Sequence, residues 1–232
     1  MRMWKILIAL GGLIAVGVTG GSLFAPTDTA RAVGAPKDAG GVGSADAGAV
    51  VAADMGDVTT VKPDDHVLGE RDAPVTIIEY SSLTCPHCAT FHKRTLPRLK
   101  KNFIEPGKVK LVFRHYPLDR RALKGALLTE CFEGRRFFSM LNILFMKQEQ
   151  WARADDPEAH FRKLAGMAGL GPDKADACMA DSAKQDSLLQ RQLNARRNAG
   201  IQATPSFLID GELVEGNPGY EAIAEKLREA GA

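Results

Sequence analysis

The sequence predicts an α/β domain in which a small sheet is interrupted by an all-helical insertion. Three observations carry that expectation. Short β-rich runs stand at residues 75–80 and 109–116 and return only at 206–215; helical signals fill almost everything from about 118 to 200; and a Cys-x-x-Cys pair follows directly on the first strand. The expected order is β, α, β, a block of helices, β, β, α.

The chain's first residues set its compartment. Arg2 and Lys5 precede an uncharged run from Ile6 to Ala25, and Ala30-Arg31-Ala32 follows as a small-residue cleavage pattern. Residues 1–32 therefore read as an export signal or, uncleaved, as an N-terminal membrane anchor. At about 1.5 Å per residue, the stretch 6–25 is just long enough to tether the protein across a hydrocarbon core of roughly 30 Å. Either way the remainder is expected in the periplasm, free or anchored in the inner membrane and facing the periplasm. Residues 33–60 are rich in Ala and Gly and too poor in large apolar side chains to build a core, so they read as a linker ahead of a folded domain at 61–230.

Within that domain, Asp72-Ala73-Pro74 introduces VTIIEY as the first strand. From Ala89 to Phe103, apolar residues at 91, 96, 99 and 103 have helical spacing, with Pro97 expected to kink the helix or open a second segment. VKLVFRHY is the second strand, closed by Pro117. The helical block breaks near Asp156-Pro157 and Gly171-Pro172. SFLI then turns back through Asp210-Gly211 into residues 212–215, a strong hairpin signal, and a last helix runs from Pro218 to about Ala230. The formal net charge of +2, from 30 basic against 28 acidic residues, gives no reason to expect nucleic acid as a partner.

The pair in SSLTCPHCATF carries the chemistry. Asp156-Pro157, Gly171-Pro172 and Asn217-Pro218 read as cap residues followed by proline at the first helical position, and Cys85-Pro86 repeats the arrangement. Cys85 is then an N-cap, where the side chain must accept amide hydrogens. A thiolate accepts well and gains from the positive end of the helix, so the position favours ionised Cys85, and a protonated His87 is expected to add to the effect. Cys88, one turn inside, is the resolving thiol.

A zinc half-site needs a second ligand pair, and neither Cys131 and Cys178 nor the histidines at 66, 87, 92, 115 and 160 show the spacing for one. No metal site is expected, though His87 and His92 beside two thiols keep copper capture open as an alternative. In an exported chain, Cys131 and Cys178 are expected to pair, with two buried free thiols as the alternative.

Taken together, IEYSSLTCPHC, FRHYPLD and GIQATPSFLIDGE resemble, in order and over roughly residues 73–227, exported thiol:disulfide oxidoreductases of the DsbA type. The resemblance is to the branch that includes Bdb and alpha-proteobacterial forms, within the thioredoxin superfamily. It implies a thioredoxin fold with an inserted helical domain, Cys85 as the attacking and Cys88 as the resolving cysteine, and Pro86-His87 as the intervening dipeptide. It also implies Pro205 as a cis proline facing the pair with Thr204 before it, and Glu79 as a buried acid beneath the site. One departure stands out: enterobacterial DsbA is similar at CPHC but carries Val before the cis proline, where this chain has the Thr of thioredoxins and isomerases.

The expected function is a dithiol oxidase that needs no cofactor and introduces disulfides into unfolded exported proteins. A membrane quinone-coupled partner would reoxidise it, as the resemblance implies. A reductase or isomerase is the alternative. The protein is expected to act as a monomer, with a trimer through the N-terminal stalk left open.

Overall fold

The computed structural model describes residues 58–232. The signal or anchor expected at 1–32, the tether at 6–25 and all but the last three residues of the linker expected at 33–60 lie outside the described residues. Among the described residues no helix is long and apolar enough to cross a membrane.

The folded region is a five-stranded mixed sheet with helices on both faces. Its strands are β1 (His66–Leu68), β2 (Val75–Ser81), β3 (Val109–His115), β4 (Ser206–Ile209) and β5 (Glu212–Glu215), in the order β1-β3-β2-β4-β5. β2 and β3 are parallel and every other neighbouring pair is antiparallel. The parallel pair is fed by a right-sized crossover, the helical run that follows the cysteines. β1 is the strand that the sequence does not reveal: three residues are too few to show a period, and its pairing is dictated by the free edge of β3.

The crossover departs from a simple kinked helix. It runs as α1 (Pro86–Thr90), a π-helical turn at Phe91–Thr95, α2 (Leu96–Leu99) and a second π-turn at Lys100–Ile104. Pro97 falls in the first turn of α2, where its missing amide hydrogen leaves no bond unmade. The wider π spacing just before it absorbs the interruption.

The insertion is wholly helical: α3 (Arg120–Thr129), α4 (Gly134–Met146), α5 (Gln148–Trp151), α6 (Pro157–Met167), α7 (Pro172–Met179) and α8 (Ser182–Asn198). Asp119 and Asp156 cap α3 and α6 through their carboxylates, at 2.8 and 2.9 Å from Ala122 N and Ala159 N. Gly171-Pro172 starts α7 as the cap-proline pattern predicts. Asn217-Pro218 does not: α9 (Gly219–Glu229) begins one residue later, with Pro218 itself at the cap. Asp210 and Gly211 both take positive φ, 48° and 92°, the twist that a two-residue hairpin between β4 and β5 requires. Cys131, just past α3, is disulfide-bonded to Cys178 of α7, with Cα atoms 6.1 Å apart and 47 positions of separation.

Alternation along the strands divides the core. Val75, Ile77 and Glu79 of β2 point to the face covered by the crossover and the insertion, where Phe91, Phe137, Phe145 and Trp151 are fully buried. Ile78 and Tyr80 point to the opposite face, with Val112, Leu208 and Ile201. There the buried Arg114 guanidinium donates to Asp65 Oδ2 at 2.7 Å, Tyr80 Oη at 2.9 Å and the carbonyls of Val58 and Thr60, both at 2.6 Å. The last residues expected to be linker are therefore docked onto the sheet, and Val58 is buried.

Candidate active site at the start of the crossover helix

β2 ends at Ser81, and a tight turn delivers Cys85 to the N-cap of α1 with extended backbone (φ −74°, ψ 122°) and Pro86 in the first turn. The backbone N–H of Cys88 points at Cys85 Sγ, 3.5 Å away. Across the site lies the Thr204–Pro205 peptide, which is cis, and its Thr204 carbonyl oxygen is 3.2 Å from Cys85 Sγ. Both thiols are free; Cys85 keeps 6% of its surface and Cys88 none. Pro86 and His87 are exposed on the rim.

The two thiols are driven apart in acidity. Cys85 is lowered to about 5: the Cys88 thiol donates to its sulfur, burial opposes the charge, and the Thr204 hydroxyl together with the backbone N–H groups of Cys88 and His87 favours it again. The Thr204 hydroxyl has no hydrogen bond of ordinary geometry, so it is available to that sulfur. Cys88 is pushed far up, first by burial, then by its hydrogen bond to Cys85 and by the negative charges of Cys85 and Glu79, with the nearby Ser81 hydroxyl opposing weakly. The sequence points to the helix N-terminus and an imidazolium at His87 as causes. The helix amides do contribute, but His87 acts through its backbone N–H, and the largest effect is the Cys88 thiol itself.

Glu79 is fully buried, paired in the sheet between Phe113 and Phe207, and so is not a solvent-facing strand residue. One carboxyl oxygen shares a hydrogen bond with His92 Nε2 at 2.9 Å; the other has no hydrogen-bond partner. His92 is thus turned into the core, away from the arrangement with His87 on which copper capture depends. Among the described residues no group of three or more His, Cys, Asp or Glu side chains is placed to hold a metal ion.

Gln148 is the residue the sequence conceals. From α5 its buried amide donates to the carbonyls of Leu83 and Cys85, at 2.7 and 2.9 Å, and so pins the active-site turn to the helical insertion. A lone Gln in a helical stretch carries no signal of such a role. Beside it, a cavity of about 560 Å³ lined by Thr84, Pro86, Arg120, Gln148 and Arg153 opens next to the cysteine pair.

A free thiol pair at a helix start, set against a cis proline at the end of the neighbouring strand, is a geometry suited to thiol exchange. The family model described as Thioredoxin matches residues 61–229. The chain belongs to the thioredoxin family. Among its thioredoxin-family relatives is a protein of Rickettsia conorii provisionally named a protein-disulfide oxidoreductase, 29% identical over 174 residues, 74% of this chain and 62% of that one. Disulfide bond formation protein D of Bacillus subtilis is 26% identical over 172 residues, 69% of this chain and 74% of that one. The crystal structure of alpha-DsbA1 from Wolbachia pipientis superposes with a TM-score of 0.71 at 29% identity, covering 76% of this chain and 95% of that one. This kinship within the family is with DsbA-type proteins, and the fold is theirs, inserted helical domain included. The chain spans 56 to 62% of the length of the five Rickettsia proteins it matches.

Proposed function

We propose that this thioredoxin-family protein is an exported thiol:disulfide oxidoreductase that introduces disulfide bonds into other exported proteins by cycling Cys85 and Cys88 between dithiol and disulfide. The observation that carries the reading is the placement of the two thiols: Cys85 at the N-cap of α1 beside the cis Thr204–Pro205 peptide, with the Cys88 N–H directed at its sulfur, which favours its thiolate, and Cys88 fully sealed, which disfavours its own. Whatever holds Cys85 as a thiolate stabilises the reduced protein and makes its disulfide the stronger oxidant, by roughly 30 mV for each 1.4 kcal/mol.

In the oxidised protein a substrate thiolate attacks Cys85 Sγ, the Cys85–Cys88 bond breaks, and Cys88 leaves and is protonated, because its surroundings do not tolerate the charge. Glu79 is the nearby group able to hand over that proton. A second substrate thiolate then attacks the substrate sulfur of the mixed disulfide. Cys85 leaves as a stable thiolate, the substrate carries the new disulfide, and the protein is left reduced. Pro86 and His87 form the rim that the substrate meets, and Thr204 with the cis Pro205 forms the opposite wall, suited to an extended substrate backbone.

Equilibration with glutathione tests the direction. A potential nearer the roughly −120 mV of DsbA than the −270 mV of thioredoxin is expected, and one below about −230 mV would sink the oxidase reading. In the oxidase reading the substrates are unfolded exported proteins with free thiols, and a quinone-coupled membrane protein takes up the electrons. The protein then resides in the periplasm, free or held by residues 6–25.

A reductase or isomerase is the second reading, suggested by Thr204 standing before the cis proline as in thioredoxins and isomerases, although its hydroxyl favours the Cys85 thiolate and so works toward the oxidant side. Reactivation of scrambled ribonuclease by the protein without added oxidant is the result that would promote it.

A further inference from the structure

Each passage through that cycle moves a proton on or off Cys88, which has no exposed surface, and Glu79 beside it is equally sealed. A buried carboxylate can exchange a proton with a buried thiol only if it is itself connected to water. The connection that the structure offers is His92. Its Nε2 is 2.9 Å from Glu79 Oε1, and His92 is among the residues that line a cavity of about 380 Å³. The cavity's other lining includes the exposed Pro97, Glu105 and Asn142, so it meets solvent, and it shares no residue with the cavity beside the cysteine pair. Phe145 stacks on the imidazole at 4.1 Å and Phe113 meets it edge-on at 5.8 Å, so the ring is clamped between Glu79 and the cavity. The titratable groups facing it are Glu79 from β2 and, at the cavity, Lys100 and Glu105; β3 and α4 present apolar rings and Asn142.

We infer that His92 carries the proton between Glu79 and the water of this second cavity, giving the Cys88 thiol a rear exit separate from the face that binds substrate. The inference rests on the proposed exchange chemistry of Cys85 and Cys88. When the disulfide closes, the Cys88 S–H proton passes to the Glu79 carboxylate and the Cys88 thiolate attacks Cys85 Sγ, expelling the thiolate bound there. Glu79 then passes its proton to the free Nε2 of the neutral imidazole in its Nδ1–H tautomer, and the imidazolium releases its Nδ1 proton to water. When substrate opens the disulfide, the same transfers run in reverse and the Cys88 thiolate is protonated. His92 acts through Glu79 and is a positioning residue for the proton, never touching sulfur. Separating the exits matters, because a bound polypeptide covers the Cys85 rim at the moment when Cys88 must exchange its proton.

The test is the closure step of the full-length protein. Reduced protein is mixed with oxidised glutathione, and conversion of the Cys85 glutathione adduct to the Cys85–Cys88 disulfide is followed from pH 5 to 9 by acid quench and mass spectrometry. His92→Gln keeps an amide able to donate to Glu79 but cannot accept and release a proton. It is expected to slow closure at pH 7 by about 10- to 100-fold, at or below the lower end of the usual general acid–base contribution, and to change the shape of the pH profile. Alkylation of Cys85 should be unaffected. His92→Ala should be slow likewise and be restored by free imidazole, which the cavity has room to admit. Closure of His92→Gln at the wild-type rate with the wild-type profile overturns the inference. So does a slow His92→Ala that ignores imidazole and keeps the wild-type profile, since that is the mark of a purely structural role. Failure of the wild-type protein to close its disulfide at all would instead remove the exchange chemistry on which the inference rests.

Discussion

Cys85 Sγ lies 3.2 Å from the carbonyl oxygen of Thr204, a contact made across 119 positions of chain and through the whole helical insertion. It places the Thr204 hydroxyl where it can favour the Cys85 thiolate, and the acidity of the attacking sulfur is therefore set partly by a residue on the far side of the site.

Thr204→Val should raise the Cys85 pKa from about 5, because it removes a hydroxyl that favours the thiolate and leaves the backbone carbonyl in place. His87→Ala should move it little, since His87 acts through its backbone N–H, which alanine retains. Iodoacetamide alkylation rates between pH 3 and 9 give both midpoints. A larger effect from His87→Ala than from Thr204→Val would contradict this assignment of causes. Any rise in pKa should also lower the reduction potential, by roughly 30 mV per unit if the unit's 1.4 kcal/mol appears wholly in the redox couple.

The Cys85 N-cap was legible because proline at the first helical position is a local signal, repeated elsewhere in this chain. The same signal misplaced the start of the last helix by one residue: Gly219, at a positive φ of 85°, keeps the chain turning after Pro218. The paired strands, the helical insertion and the Asp210-Gly211 hairpin were legible for the same reason, that period and turn chemistry are written locally. What stayed hidden is what depends on a partner distant in sequence. β1 exists because β3 offers an edge, Gln148 matters because it reaches the Leu83 and Cys85 carbonyls at the active-site turn, and His92 reads as one face of a helix until β2 brings Glu79 beneath it.

Gln148→Ala would leave the Leu83 carbonyl buried without a donor and the Cys85 carbonyl with only the Ala89 N–H, at a cost of about 1–3 kcal/mol for the unsatisfied group. Stability should fall by an amount in that range, and the oxidation rate of a cysteine peptide should fall as well, because the lost bonds hold the backbone of Cys85 itself. Denaturant unfolding and peptide oxidation check the two parts. Unchanged oxidation kinetics in a destabilised variant would show that the bonds hold the insertion but not the reacting sulfur.

A chain beginning at residue 61 should be less stable than one beginning near residue 50. The shorter chain lacks the Val58 and Thr60 carbonyls that accept from the buried Arg114 guanidinium, and the buried Val58 side chain with them. Hydrogen bonds to a charged donor contribute about 1.5–3 kcal/mol each, so a loss of a few kcal/mol is expected after water takes up part of the bonding. Urea unfolding of the two chains side by side measures it, and equal midpoints would show that residues 58–60 are dispensable to the fold.

The last expectation concerns pH. His115 is buried at the end of β3, with Nε2 2.8 Å from Thr129 Oγ1, and burial lowers its pKa to about 4 even though Glu130 pulls the other way. Between about pH 6.5 and 4 the unfolded chain binds a proton at this position that the native chain refuses, so native stability is complete above about 6.5 and declines as the pH falls through that window. At one pKa unit per 1.4 kcal/mol, the decline at pH 5 is about 2 kcal/mol. Glu130 acts in a separate and lower window. Although burial opposes its charge, its hydrogen bond with His66 and the fields of His115, His66 and Lys184 hold its pKa down at about 2. Its contribution therefore persists until the pH falls below about 4 and is lost on the way to 2. Urea unfolding at pH 7.5 and pH 5 should show the first decline in the wild-type protein and a smaller one in His115→Gln, whose amide can keep the bond to Thr129 and does not titrate. An equal decline in both would place the acid sensitivity elsewhere. It would also mean that the imidazole finds enough water or negative field at the end of β3 to be charged in the native state.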